Sequence, residues 1–158
     1  MGRVMREQVH GRIVTCSSGL VYQAYPWRGA YNSTKFALEG LTDTLRMELH
    51  GTGIHVVLIE PGLIETDFGK NSQRNFERLI DWEASVRAAD YRHEFIDNAG
   101  MRSRKQAPVS LVTGKIVRAL EHPRPRARYR VTTLAEVAYV LKRLLPTRAM
   151  DALVRRVS

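Results

Sequence analysis

One cysteine, Cys16, stands in a chain of 158 residues. A lone thiol excludes an intramolecular disulfide and fits a reducing, cytoplasmic setting. Its place in an apolar run beside Ser17 and Ser18 predicts a small buried side chain. Long hydrophobic runs are missing too: no stretch approaches the ~20 apolar residues of a membrane-spanning helix. Met1 to Gln8 lack the apolar core of a signal peptide. The five histidines, His10, His50, His55, His93 and His122, fall at no metal-ligand spacing, so no metal site is expected. Repeats and low-complexity tracts are also absent. Acidic residues are scarce, 16 against 25 basic ones, which leaves a net charge of +9. Such a balance can serve nucleic acid or an anionic membrane. Yet Arg124, Arg126, Arg128 and Arg130 alternate with Pro123, Pro125, Ala127 and Tyr129, the pattern of a loop feeding a strand. No zinc-ligand spacing or RNA-binding aromatic signature accompanies them, and no nucleic-acid partner is expected.

What is present fits one domain, since a chain of this length buries roughly 70% of its unfolded surface. Residues 1–11 read as a helix end, with Gly11 as its terminator. Ile13 to Cys16 suits a short buried parallel strand. Gly19, Pro26 and Gly29 make residues 19–30 a loop. From Tyr31 to His50 the residues Phe36, Leu38, Leu41, Leu45 and Leu49 recur at helical spacing, and Gly51-Thr52-Gly53 ends the helix. Ile54 to Ile59 is the clearest strand, stopped by Glu60-Pro61-Gly62. Strand, loop, long helix, glycine turn and strand form a βαβ unit. Residues 63–107 read as two short helices in an insertion, Val109 to Leu120 as a further helix, and Ala127 to Thr132 as a short strand. Residues 133–158 form an amphipathic segment broken at Pro146.

The chemistry lies in Ser18, Tyr31 and Lys35. Tyr-x-x-x-Lys spacing puts a phenol and an ammonium on one helix face, and the Ile13–Val14 run delivers a serine hydroxyl from a strand end. A phenol with its ordinary pKa near 10 exchanges protons poorly at neutrality. An ammonium about 4 Å away contributes about 4 kcal/mol at an effective dielectric near 20. That is enough to lower a phenol's pKa by up to ~3 units before solvent screening. Of the six tyrosines only Tyr31 has lysine four positions on; Tyr139 with Lys142 is the nearest decoy. Either residue alone reads as surface; with the serine pair thirteen positions before Tyr31 they read as a proton-transfer site for carbonyl–alcohol chemistry.

These segments resemble the C-terminal part of a short-chain dehydrogenase/reductase. Gly11 to Gly19 resembles the family's strand carrying the active-site serine. Tyr31-Asn32-Ser33-Thr34-Lys35-Phe36-Ala37-Leu38 resembles its catalytic helix, with Ser33-Thr34 replacing the usual Ala-Ser. Pro61-Gly62-Leu63-Ile64-Glu65-Thr66 resembles the loop after the next strand. The resemblance implies a partial doubly wound Rossmann fold of class α/β, retaining the last three parallel strands and their helices. It implies that Tyr31 is the general acid or base, that Lys35 lowers its pKa and holds the cofactor ribose, and that Ser18 orients the substrate oxygen. It places Pro61, Gly62, Ile64 and Thr66 at NAD or NADP, Ile64 through its backbone and Thr66 through its hydroxyl. Residues 63–107 become the substrate-loop insertion, and the substrate a small carbonyl or alcohol, steroid- or retinoid-like. Relatives associate through the equivalent of helix 31–50, so a homo-oligomer is expected. The apolar stripe of the C-terminal segment is expected to pack on the sheet or a subunit, with a membrane surface as the alternative.

Departures accompany the match. The Gly-rich Thr-Gly-x-x-x-Gly-x-Gly turn, the Asn-Ala-Gly strand motif and the relay asparagine are absent; Asn98-Ala99-Gly100 lies far downstream of Tyr31 and reads as a chance match. The expectation is therefore a chain that begins mid-fold, with one edge of the Ile13–Cys16 strand open to other chains. The rival reading is a non-catalytic fragment or interaction module without a cofactor site.

Overall fold

Ile54–Glu60 is rich in β-branched and long aliphatic residues, and such a run is stable only with both faces covered. In the computed structural model, which describes residues 2–97 and 106–157, it is the middle strand of a three-stranded sheet. Asn98-Ala99-Gly100 lies outside the described residues. In chain order the elements are α1 (Gly2–Glu7), β1 (Gly11–Cys16), a 3₁₀ turn (Gly19–Val21), α2 (Gly29–Glu48), β2 (Ile54–Glu60) and α3 (Phe68–Leu79). Then follow α4 (Ala88–Tyr91) running into a π-helical turn (Arg92–Asp97), α5 (Val109–Glu121), β3 (Arg128–Arg130), α6 (Thr133–Leu144) and α7 (Thr147–Val157). Two compact units result: Met1–Gly62 with Pro108–Ser158, and Leu63–Ala107.

In the first unit the sheet runs β1-β2-β3, all parallel. β1 is in register from Gly11↔Ile54 to Cys16↔Ile59, and β3 from Leu58↔Arg128 to Glu60↔Arg130. Val57, Leu58 and Ile59 of β2 are sealed from solvent. Leu49 packs with Ile54 and Val56, joined by Met5, Ile13 and Leu45. Thr132 caps α6 by accepting from Ala135 N at 3.2 Å. Ala135 and Ala138 are the buried face of α6, while Leu134, Val137, Val140 and Leu144 stay exposed. Arg12 donates to the carbonyls of Leu120 and His122, closing the C-terminal end of α5.

Three expectations need correction. Gly11 does not terminate the first helix; α1 ends at Glu7, the chain reverses at Val9 (φ 56°), and Gly11 opens β1. Cys16 is exposed, and no residue of β1 is fully buried, because β1 is an edge strand and Cys16 its last residue. The long helix starts two residues before Tyr31 and ends two before His50, as Leu49 turns inward to the core. The shorter differences follow from pairing: β3 spans only the residues β2 can reach, and Thr132 is used as a cap.

The second unit is held by rings. Phe76 stacks on Phe95 with centroids 4.3 Å apart, and Trp82 and Tyr91 flank Phe76 at 6.4 and 5.7 Å. Its two ends meet at a bridge between Ile64 and Ala107. Among the described residues no helix is long and apolar enough to cross a membrane.

Candidate active site

Ser18 follows β1 at the point where the strand gives way to the 3₁₀ turn. It is buried, its backbone is extended, and its Oγ accepts from Leu20 N at 3.2 Å as the turn's N-cap. A hydroxyl that accepts in this way still has its own proton to give. Ser17 N donates to Ile59 O at 2.8 Å and Gly19 N to Pro61 O at 2.6 Å, so the serine is stitched to the end of β2 on both sides.

Tyr31 and Lys35 occupy successive turns of α2, which packs against that 3₁₀ turn and against β2. Lys35 Nζ lies 5.7 Å from the Tyr31 ring centroid, within cation–π range, and donates to Cys16 O at 3.2 Å. An ammonium has three N–H donors, so two remain for other acceptors. Asn32, buried beside them, donates through Nδ2 to Tyr25 O at 3.3 Å and ties α2 to the preceding loop. That loop contains Trp27 at φ 63°, a left-handed backbone that costs a bulky residue about 1–2 kcal/mol.

Pro61 offers its carbonyl to Gly19, as above. Gly62 has no room for a side chain: a Cβ there would sit 2.1 Å from Thr132 Oγ1. In the second unit, the Ile64–Ala107 bridge uses the carbonyl of Leu63 and the N–H of Glu65, not the polar groups of Ile64 itself. Thr66 Oγ1 accepts from Phe68 N at 3.4 Å and opens α3. Glu65 and Asp67 are exposed, and Asp67 pairs with Lys70. Among the described residues no cluster of three metal-ligating side chains occurs.

Comparison with known proteins sets these elements in a family. The profile of the short chain dehydrogenase family matches residues 1–77. The uncharacterized oxidoreductase YbbO of Escherichia coli (strain K12) is 38% identical over 146 residues, 92% of this chain and 48% of its own. Retinol dehydrogenase 16 of Rattus norvegicus is 31% identical over 160 residues, 96% of this chain and 47% of its own. The chain belongs to the short-chain dehydrogenase/reductase family. Its fold agrees with that of a short-chain dehydrogenase from Streptomyces avermitilis, with a TM-score of 0.67 at 24% identity, covering 98% of this chain and 54% of that one. The chain spans about half the length of the curated relatives it matches.

Membership of the short-chain dehydrogenase/reductase family implies a nicotinamide cofactor, and within the first unit Lys35 fits a sugar of such a group. Lys35 keeps donors beyond its Cys16 bond, as a sugar diol requires. The sequence contains no Gly-rich phosphate cradle.

The least anticipated residues surround Glu60. This carboxylate ends β2 with no solvent exposure, accepts from Tyr22 OH at 2.5 Å, and lies 3.7 Å from Arg128 Nε. Arg128 also pairs with Glu39 at 3.1 Å and Asp43 at 2.7 Å, both on α2. Burial, with Glu39 adding to it, pushes the Glu60 carboxyl up to about 6 against the pull of Tyr22, Arg128 and Arg130. Burial and the Glu60 contact raise the Tyr22 phenol, so it stays a donor. Burial works against ionised Asp43, yet Arg46 and Arg128 hold it below the usual carboxylate range. Arg130 pairs with Glu136 and stacks 3.9 Å above the Tyr139 ring, with Arg143 4.5 Å from the same centroid. Within the basic run, Arg128 and Arg130 thus serve internal carboxylates and a ring.

Proposed function

We propose that this chain carries the proton-transfer machinery of an NAD(P)-dependent oxidoreductase acting on the carbonyl or alcohol of an apolar small molecule. The observation that supports it most is Lys35, which bonds the carbonyl ending β1 and lies over Tyr31 on the same helix face. Ammonium, phenol and the strand end that presents Ser18 are thereby gathered within one unit.

In reduction Tyr31 gives its proton to the substrate oxygen; in oxidation it takes the alcohol proton. Lys35 sets its ammonium over the phenol ring and anchors it to the end of β1. Ser18 donates its O–H to the substrate oxygen and holds it within reach of the phenol. The bound nicotinamide would supply or accept the hydride. Lys35 would hold the cofactor ribose, with Pro61 and Gly62 of the same unit toward the nicotinamide; the family resemblance extends that role to Ile64 and Thr66. A steroid- or retinoid-like substrate is the finer reading, and its retinoid half is supported by the name of the rat relative, retinol dehydrogenase 16. Self-association through α2 is supported by its exposed Phe36, Leu41 and Met47.

Cofactor binding tests the reading directly. Either NADH or NADPH at millimolar concentration should raise the melting temperature of the wild-type chain, and Lys35→Ala should abolish the rise. Turnover should fall about 10²–10⁴-fold in Tyr31→Phe, the range for losing a general acid–base group. Unchanged turnover would remove Tyr31 from the mechanism. A second reading, an interaction module, is supported by the partly exposed apolar side chains of edge strand β1. It gains if neither cofactor moves the melt.

A further inference from the structure

Glu60 lies outside the Ser18, Tyr31 and Lys35 set, yet it is the charged residue most completely removed from solvent among those described. A buried carboxylate is expensive: an apolar side chain of similar volume is often neutral or stabilising in its place. Stability alone therefore does not account for it.

Its contacts point elsewhere. Glu60 directly precedes Pro61, whose carbonyl accepts from Gly19 N at 2.6 Å, and follows Ile59, whose carbonyl accepts from Ser17 N at 2.8 Å. Both bonds hold the backbone on either side of Ser18. Tyr22 closes the 3₁₀ turn that Ser18 caps, its N–H donating to Gly19 O at 3.3 Å. The Tyr22 phenol returns to β2 and donates to Glu60 Oε2, while its ring meets Tyr139 of α6 edge-on at 5.3 Å. The turn is thus clamped at Ser17, Gly19 and Tyr22, and the Tyr22 clamp alone is made by side chains. Arg128 Nε lies 3.7 Å from the other carboxylate oxygen, an ion pair that links Glu60 to β3.

We propose that Glu60 and Tyr22 are positioning residues for Ser18, a buried side-chain clamp that fixes the turn from which the Ser18 hydroxyl is aimed. The inference rests on the oxidoreductase reading for what Ser18 is aimed at, but the clamp itself can be measured without turnover.

Hydrogen exchange on the chain, followed by mass spectrometry across residues 18–22, reads the clamp. Loss of one buried hydrogen bond should speed exchange there about ten-fold in Tyr22→Phe, with β2 unchanged. Glu60→Leu should do the same, whereas Glu60→Gln, which still accepts, should stay near wild type. If Glu60→Leu does not fold, Tyr22→Phe decides the matter, because it deletes one oxygen and keeps the ring. Unchanged exchange at 18–22, or an equal rise throughout the unit, overturns the clamp.

The second arm is turnover of the protein expressed from its native gene, with NADH or NADPH and a long-chain aldehyde as probe. Tyr22→Phe should lower kcat about ten- to hundred-fold, as misplacement of a reacting group does, and leave the cofactor KM unchanged. Lys35→Ala should raise the cofactor KM. An active wild type whose kcat is indifferent to Tyr22→Phe overturns the positioning role. An inactive wild type with a loosened Tyr22→Phe turn overturns the oxidoreductase reading, and with it the aim of Ser18, while the clamp stands.

Discussion

At the scale of single residues, a glycine distant from the chemistry is under a double constraint. Gly53 has φ 76°, and a Cβ there would lie 2.1 Å from Val9 O, where the chain leaves α1. Gly51 has a similar φ of 79° but open space around it. Gly51→Ala should cost about 1–2 kcal/mol, the left-handed penalty alone. Gly53→Ala should cost more than ~2 kcal/mol, since the Val9 turn must also move. Urea melts of both variants check this, and equal losses would show that the close approach is unimportant. Gly53 was legible in the sequence only as a helix stop; its pressure on Val9 arises from two segments meeting in space. Glu60 left a clearer trace. A carboxylate closing an apolar run before a proline must find a partner if that run is buried, but nothing local nominates Tyr22 or Arg128.

At the scale of elements, β2 was readable because its burial on both faces leaves no polar alternation to disguise it. The Tyr31–Lys35 face of α2 was readable because four-residue spacing is intrinsic to a helix. The burial of Cys16 was misjudged, since an apolar run does not announce whether its strand is central or at an edge. Leu58, with no exposure, should show the central role of β2: Leu58→Ala is expected to cost about 2–5 kcal/mol in denaturant unfolding. Arg128 links β3 to α2 through Glu39 and Asp43 and to β2 through Glu60. Arg128→Leu strands those carboxylates and should cost about 2–4 kcal/mol, less than a wholly buried pair because the guanidinium is partly exposed. Arg3→Ala, at the exposed Arg3–Glu7 pair, should cost under ~0.5 kcal/mol by the same melts. Comparable losses would deny the network its linking role.

At the scale of the whole molecule, Glu60 imposes a pH dependence. Its folded pKa of about 6 lies above the ordinary 4.5, so the native state holds the proton more tightly than the unfolded chain. Its contribution is full below about 4.5 and is lost as pH rises through about 6. The wild type should thus lose about 1–2 kcal/mol relative to Glu60→Gln across that window, a difference resolved by urea melts at stepped pH. A flat difference, or one of opposite sign, would contradict the burial argument. The sheet also carries a consequence in time. Leu58 of β2 pairs with Arg128, seventy positions further along the chain. At ribosomal speeds β2 therefore emerges roughly 4–14 s before its second partner exists. For that interval β2, the most apolar of the described strands, has one bare side. Whether newly made chains reach the folded state or join one another is then a race between elongation and encounter, set by synthesis rate and concentration rather than by the stability of the finished sheet.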